Sequence, residues 1–303
     1  MKILIFVAAA LALSATNAFA QRAADPLDAT ISTADVDAFF AIYDAANGNP
    51  TARDLEPYVA NGSPGVQGFI PNRILSAERL AARIAERPQI YADARRCAQQ
   101  LGNVRERVRA AFLALEALFP DATYPQTYIL IGRDNSGGAA NDSALMIGLE
   151  VVCRDAGSSA SVFEAHLAHL IAHEMIHSLQ AGFTGETVLS QSLQEGAAEF
   201  LGELISGRIS TAHLLEWTAG REAAIEQRFA GGLDSRDLSA WLYNGRGTAE
   251  APGDLGYWVG YRIVRAYYER AADKRQAVRD ILRSTDAQAF LASSGWRPAG
   301  AAD

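Results

Sequence analysis

His173-Glu174-Met175-Ile176-His177 lies in an apolar run that continues to Leu179, and no other stretch restricts the fold as tightly. Side chains four residues apart share a face only in a helix. In a helix, His173 and His177 can offer two imidazole nitrogens to one metal ion. Glu174, one residue further round, leans over the open side of that ion and can accept a proton from water there. The spacing is HExxH, and the metal it calls for is Zn²⁺. A helix that merely carries two histidines would be spelled the same way. Histidine is scarce, however: the chain has five, and four fall between His166 and His177.

A catalytic zinc site needs three protein ligands and a water. Glu195 and Glu199 follow downstream in Gln194-Glu195-Gly196-Ala197-Ala198-Glu199 and share a helical face. One carboxylate can bind the metal, and the other can accept the N–H of a ligating histidine. The competing reading is a solvated acidic face on an amphipathic helix. Apolar residues and Gly196 surround the pair, and no Lys or Arg lies between Glu186 and Glu203, so a solvated face fits poorly.

These motifs carry a resemblance. HExxH followed by a Glu that opens an ExxxE helix resembles the gluzincin group of zinc metallopeptidases. More narrowly, HEMIHSLQ (His173–Gln180), EGAAEF (Glu195–Phe200) and GYWVGYRIVRAYY (Gly256–Tyr268) resemble bacterial zinc-dependent proteases of the domain-of-unknown-function class 2268, a class similar to GldB-type gliding proteins. The resemblance spans roughly Tyr128 to Leu282. It implies that Glu195 is the third ligand and Glu199 its supporting partner, with Glu199 as the rival ligand because the spacing from His177 is short. It also implies a zincin-like fold with a sheet beside the HExxH helix.

Lys2, the apolar run Ile3–Leu13 and the small-x-small Ala18-Phe19-Ala20 form a secretory signal with cleavage expected before Gln21. No Cys follows that point, so a lipid anchor is not expected. No later run is long and apolar enough for a membrane span. The mature chain is expected in the periplasm or outside the cell, with no stable membrane insertion. A formal net charge of −8 argues against a nucleic-acid partner. The expected partner is a peptide or protein substrate; nothing fixes an oligomeric state. Cys97 and Cys153 form either a disulfide or a pair of buried thiols.

Periodicity gives an α+β, mostly helical chain. Helices are expected from Thr33 to Gly48, Ser76 to Glu86, Gln89 to Leu101 and Val104 to Phe119, then across the zinc helix Ser161–Leu179. Leu189–Ser206, Thr211–Phe229, Gly256–Ala272, Lys274–Ser284 and Asp286–Ser293 form a helical C-terminal lobe. Asn61–Pro71 reads as an irregular loop. Tyr128–Gly132 and Ala144–Val152 read as two strands of a hairpin joined by the glycine-rich turn Asp134–Asp142. The strand near Leu145–Val152 lines the cleft as an edge or packs the core through Met146, Ile147 and Leu149. The divisions are a signal peptide at 1–20, a helical region with a small sheet at 21–160, and the zinc helix with the C-terminal lobe at 161–303, one catalytic unit.

His169 either orients the cleft or is a buried helix histidine; His166 has a weaker claim on the metal, and His213 reads as surface. An oxyanion needs a donor besides the metal. Tyr257, Tyr261 and Arg262 are the candidates, Tyr261 foremost, and Gly256 and Gly260 on the same helix suggest close backbone approach. The alternative is aromatic core packing. The expected function is a secreted zinc-dependent peptidase with His173, His177 and Glu195 as ligands and Glu174 as base. The alternatives are a catalytically idle zinc-binding or partner-binding protein of the GldB type, and hydrolysis of a non-peptide amide such as cell-wall material.

Overall fold

Both faces of the small sheet are covered by helices, so its central strand is apolar throughout instead of alternating. The computed structural model describes residues 22–156, 159–209, 212–245 and 247–299. The expected signal peptide and its cleavage site lie outside the described residues.

Strand β1 (Ile31–Ser32) leads into α1 (Ala34–Ala45), α2 (Ala52–Asn61) and α3 (Pro64–Phe69). A π-helical turn, Ile70–Ile74, follows α3. Next come α4 (Ala77–Glu86), α5 (Pro88–Ala98) and α6 (Val104–Leu118). The sheet is completed by β2 (Gln126–Leu130), β3 (Gly138–Ala140) and β4 (Ala144–Gly148) in the order β1-β2-β4-β3. The C-terminal half is helical: α7 (Leu149–Ala156), α8 (Ala160–His177), α9 (Val188–Ser206), α10 (Ala212–Thr218), α11 (Glu222–Ala230), α12 (Leu255–Arg270), α13 (Lys274–Arg283) and α14 (Ala287–Ser294). The fold is α+β and mostly helical, as expected. One hydrophobic cluster runs from Val36 through Leu145 and Ile171 to Trp296, so the N- and C-terminal regions share a core.

Several local expectations are corrected. The two long strands do not form a hairpin: β2 and β4 are parallel, with Tyr128 opposite Met146. The glycine-rich connection contains β3, which pairs antiparallel to β4 on its other side. Gly138-Ala139-Ala140 has little strand propensity, so the sequence concealed it. The hairpin that does exist joins β3 to β4, where the Asn141 side chain accepts from Ser143 N and Ala144 N. The edge is therefore β3, and Leu145, Met146 and Ile147 are buried in the central strand. From Leu149 the chain is helix α7, not strand. Asn61–Pro71 is also helical over much of its length: Ser63 caps α3 through its hydroxyl, with Pro64 at the first helical position. The Thr211–Phe229 helix is broken at Gly220, whose φ of +77° ends α10.

The two cysteines are joined, and Cys97–Cys153 ties α5 to α7. Closing a loop of this length contributes about 4 kcal/mol through the unfolded state.

Helices α9 and α12 cross at a seam of small residues. A methyl group on Gly260 would lie 1.7 Å from the Ser192 carbonyl oxygen, and one on Gly196 would lie 2.1 Å from the Gly260 carbonyl carbon. The close approach suggested by Gly256 and Gly260 is real, and it seats α12 directly beside Glu195. Gly260→Ala should force the helices apart and cost about 3 kcal/mol, read as a lowered denaturation midpoint.

Glu150 is fully buried in α7 and accepts from the backbone N–H of Gly132 and of Asp134. Burial pushes its carboxyl from 4.5 up to about 7, against the pull of those hydrogen bonds. The folded chain thus holds this proton more tightly than the unfolded chain. Stability from this group is full below about pH 4.5 and is lost as pH rises through about 7. The change is worth about 3 kcal/mol at about 1.4 kcal/mol per pH unit. Glu150→Gln should flatten that slope in chemical denaturation measured between pH 4.5 and 7.

Candidate metal centre

Helix α8 is apolar on nearly every side because it lies between the sheet, α6 and α9. That burial forces its polar residues to find partners. His173 and Glu174 are buried and His177 is half-buried, all on the stretch facing α9. Helix α9 starts at a capping box, in which Thr187 and Ser190 each bond the other's backbone N–H. This fixes the phase at which Glu195 and Glu199 meet α8.

Three side-chain atoms converge. His177 Nε2 lies 3.0 Å from His173 Nε2 and 3.2 Å from Glu195 Oε2, and His173 Nε2 lies 3.5 Å from the same oxygen. The outer ring nitrogens have acceptors. His177 Nδ1 is 2.7 Å from Gln180 Oε1, and His173 Nδ1 is 3.4 Å from Glu199 Oε2. Gln180 is oriented by donating its amide N–H to the Gln194 carbonyl. These partners assign the ring protons to Nδ1, so both Nε2 lone pairs and a carboxylate oxygen face one point. Three electron-pair donors so close repel each other unless a proton or a metal cation sits among them. The triangle also suits one: ligands about 2.0–2.1 Å from a tetrahedral zinc stand about 3.3 Å apart.

The electrostatics agree. Burial alone would lower the His173 pKa, but the Glu195 and Glu199 carboxylates override it and push it up to about 10. His177 is raised too, by Glu195 against burial. Burial would raise Glu195, yet the two histidines hold it well below the usual carboxylate range. A field that holds a proton here also favours a metal cation in its place, and binding the cation displaces the proton.

Glu199 is completely buried between His173 and His169, with its Oε2 3.4 Å from His173 Nδ1 and 3.5 Å from His169 Nε2. His169 Nδ1 lies 3.0 Å from Ser206 Oγ. His169, His173 and Glu199 form a second group able to hold a metal ion. In it His173 presents Nδ1, so Glu199 faces the opposite side of that ring from Glu195. Glu195 thus stands in the triangle with both Nε2 atoms, and Glu199 stands on the Nδ1 side of His173. His169 belongs to that buried chain. The side chain of His213 lies outside the described residues.

Glu174 stands apart from the triangle. A methyl group on Gly138 would lie 2.4 Å from Glu174 Oε1, so the carboxylate rests against the β3 backbone. Burial raises its pKa, offset in part by His177 and His173.

Tyr261 is not brought to the triangle. Its hydroxyl donates to Glu203 at 2.5 Å, two turns beyond Glu195 on α9, and its ring packs on Phe200. Arg262 pairs instead with the buried Glu226. Tyr243, which the sequence reading passed over, donates its hydroxyl to Glu195 Oε1 at 2.9 Å. The Tyr257 ring meets the Tyr243 ring edge-on, and burial together with the charges of Glu195 and Glu174 raises its pKa well above the ordinary value. Tyr243 and Asp254 both have positive φ, 57° and 59°, and their loop is closed by Asn244 N–H to Asp254 and Asp254 N–H to Asn244. Such backbone marks functional sites, but positive φ cannot be read from a Tyr in a sequence.

Residues 243–298 match the family of the gliding motility protein GldB. The match begins at Tyr243 and includes Asp254 and α12; the metal-facing residues of α8 and α9 lie before it. No curated protein and no solved structure matches the chain. Among the described residues no helix is long and apolar enough to cross a membrane.

If Tyr243 supports Glu195, Tyr243→Phe should weaken metal binding about 10-fold in competition with a chromophoric chelator. Tyr261→Phe should leave the affinity unchanged, and Glu195→Ala should abolish binding.

Proposed function

We propose that the chain is a zinc-dependent peptidase acting in the cell envelope or outside the cell. The observation that carries this reading is the convergence of His173, His177 and Glu195 on one point, with the carboxylate of Glu174 beside that point and not part of it. A purely structural site has no use for such a carboxylate. The Cys97–Cys153 bridge suits an oxidising compartment.

His173, His177 and Glu195 would hold the ion, which supplies positive charge that acidifies a water and polarises a carbonyl. Glu174 takes the proton of the attacking water and passes it to the leaving amine, a role its raised pKa suits. Glu199 and Gln180 keep the two imidazoles turned toward the metal. Tyr257, whose proton is held by burial and the nearby Glu195 charge, would be the candidate donor to the oxyanion. Antiparallel pairing turns the backbone groups of Gly138 and Ala140 outward from β3, so an extended peptide could add to this edge and lie past Glu174.

The similarity of residues 243–298 to the gliding motility protein GldB leaves a second reading, a zinc-binding or partner-binding protein without catalysis. One comparison separates the two. Glu174→Gln should keep its zinc, measured by elemental analysis, while peptide cleavage falls about 10²–10⁴-fold. A wild-type chain that holds zinc but cleaves nothing in a broad peptide library would support the second reading.

A further inference from the structure

The turn before α4 is strained, and what it presents is an arginine. The π-helical turn Ile70–Ile74 closes with Leu75 N–H donating to Ile70 O. Leu75 then takes φ 69° and ψ −59°, and Ser76 N–H donates back to Ile74 O. That is a γ-turn of the rare kind, on a leucine that is 44% exposed. π-turns and strained backbone collect at functional sites.

The strain fixes Arg73. Its carbonyl accepts from Arg133 Nε at 3.0 Å and from Asn135 Nδ2 at 3.3 Å. Its own Nε donates to Ser136 Oγ at 3.1 Å, and Ser136 donates to the Gly138 carbonyl at 2.7 Å. The guanidinium also lies over the Phe69 ring, 5.5 Å from its centre. Arg73 is thus held through backbone and side chain by the segment that becomes β3, and the Glu174 carboxylate touches that same strand at Gly138. Arg262 pairs with the buried Glu226 and Arg154 with Asp134, whereas Arg133 spends its Nε on the Arg73 carbonyl. Among the described residues the Nη atoms of Arg73 have neither a hydrogen-bond partner nor a carboxylate within 4.0 Å. In a chain of net charge −8, this anchored guanidinium feels the Glu174 charge but leaves its Nη atoms without a direct partner, and such a fork suits planar anions, which it grips with two parallel hydrogen bonds.

We infer that Arg73 anchors a carboxylate of the substrate close to the bond that is cut, so that the substrates are peptides with a chain-terminal or acidic side-chain carboxylate there. The inference rests on the peptidase reading. Arg73 is a specificity residue and takes no part in proton transfer.

Two probes test it on the full mature chain loaded with zinc: butyrohydroxamate, and succinic monohydroxamate, which is similar in length but ends in a carboxylate. Calorimetric titration should show the charged probe binding at least about 10-fold more tightly, as a charge-assisted pair predicts. Arg73→Gln should erase that difference and leave the uncharged probe unaffected; Arg73→Lys, which keeps charge but not the fork, should restore only part of it. Equal affinities in the wild type, or an undiminished preference in Arg73→Gln, would overturn the inference while leaving the peptidase reading intact. If the chain takes up no zinc, the metal reading fails and this inference fails with it. Peptides titrated onto zinc-loaded Glu174→Gln identify the source of the carboxylate: a preference lost on C-terminal amidation assigns the chain end, and one kept with an internal Glu or Asp assigns a side chain.

Discussion

Buried carboxylates must be partnered, because an isolated charge in an apolar interior is too costly to persist. Glu195 and Glu199 are both buried on α9, one helical turn apart. The histidine face of α8 meets both of them, with Tyr243 adding a hydrogen bond to Glu195, and that demand bears on how the two helices meet. Glu199 settles between His169 and His173, and Glu195 reaches the other nitrogen of His173 together with His177. The glycine seam between α9 and α12 follows from the same need. Only backbones this close let α12 cover Glu195 without inserting a side chain into the site.

The centre was legible where periodicity alone carries the chemistry. HExxH and ExxxE are statements about helical faces, and a helix keeps its phase regardless of its surroundings. The division of labour between the two glutamates needed the structure, since residues four apart differ only in which turn of the neighbouring helix they meet. Tyr261 and Tyr257 share a face of α12 in the same way, and one turn decides which reaches Glu203 and which meets the Tyr243 ring. The sheet was less legible. A strand of glycine and alanine has no pattern of its own and exists because β4 offers it hydrogen bonds. The helix α2, which tolerates Pro57, is not among the expected helices, and the Gly and Pro of Asn61–Pro71 read as a loop although Pro71 sits near the start of a short π-turn.

The site has two kinds of wall. On one side α8 and α9 offer rigid, fully buried groups. On the other, Tyr243, Asp254, Leu75 and Arg73 sit on loops or turns of unusual backbone, supported by side-chain to main-chain hydrogen bonds. On the proposed reading, ligation would fall to regular elements and recognition to irregular ones, the division expected when a scaffold holds the chemistry and its loops choose the substrate.

The distribution of the site along the chain sets an order of events. His173 and His177 are four residues apart and Glu195 follows eighteen residues later, whereas Tyr243 is forty-eight residues beyond Glu195. Loop-closure entropy favours the shorter contacts, and local contacts form sooner. As the chain emerges, the three donors can come together before the segment that covers them exists. An ion captured at that stage would template the α8–α9 pair, and the later docking of α12 would enclose it. Tyr243 would then act as a latch on Glu195: the last contact of assembly, and the first whose release would let such an ion exchange.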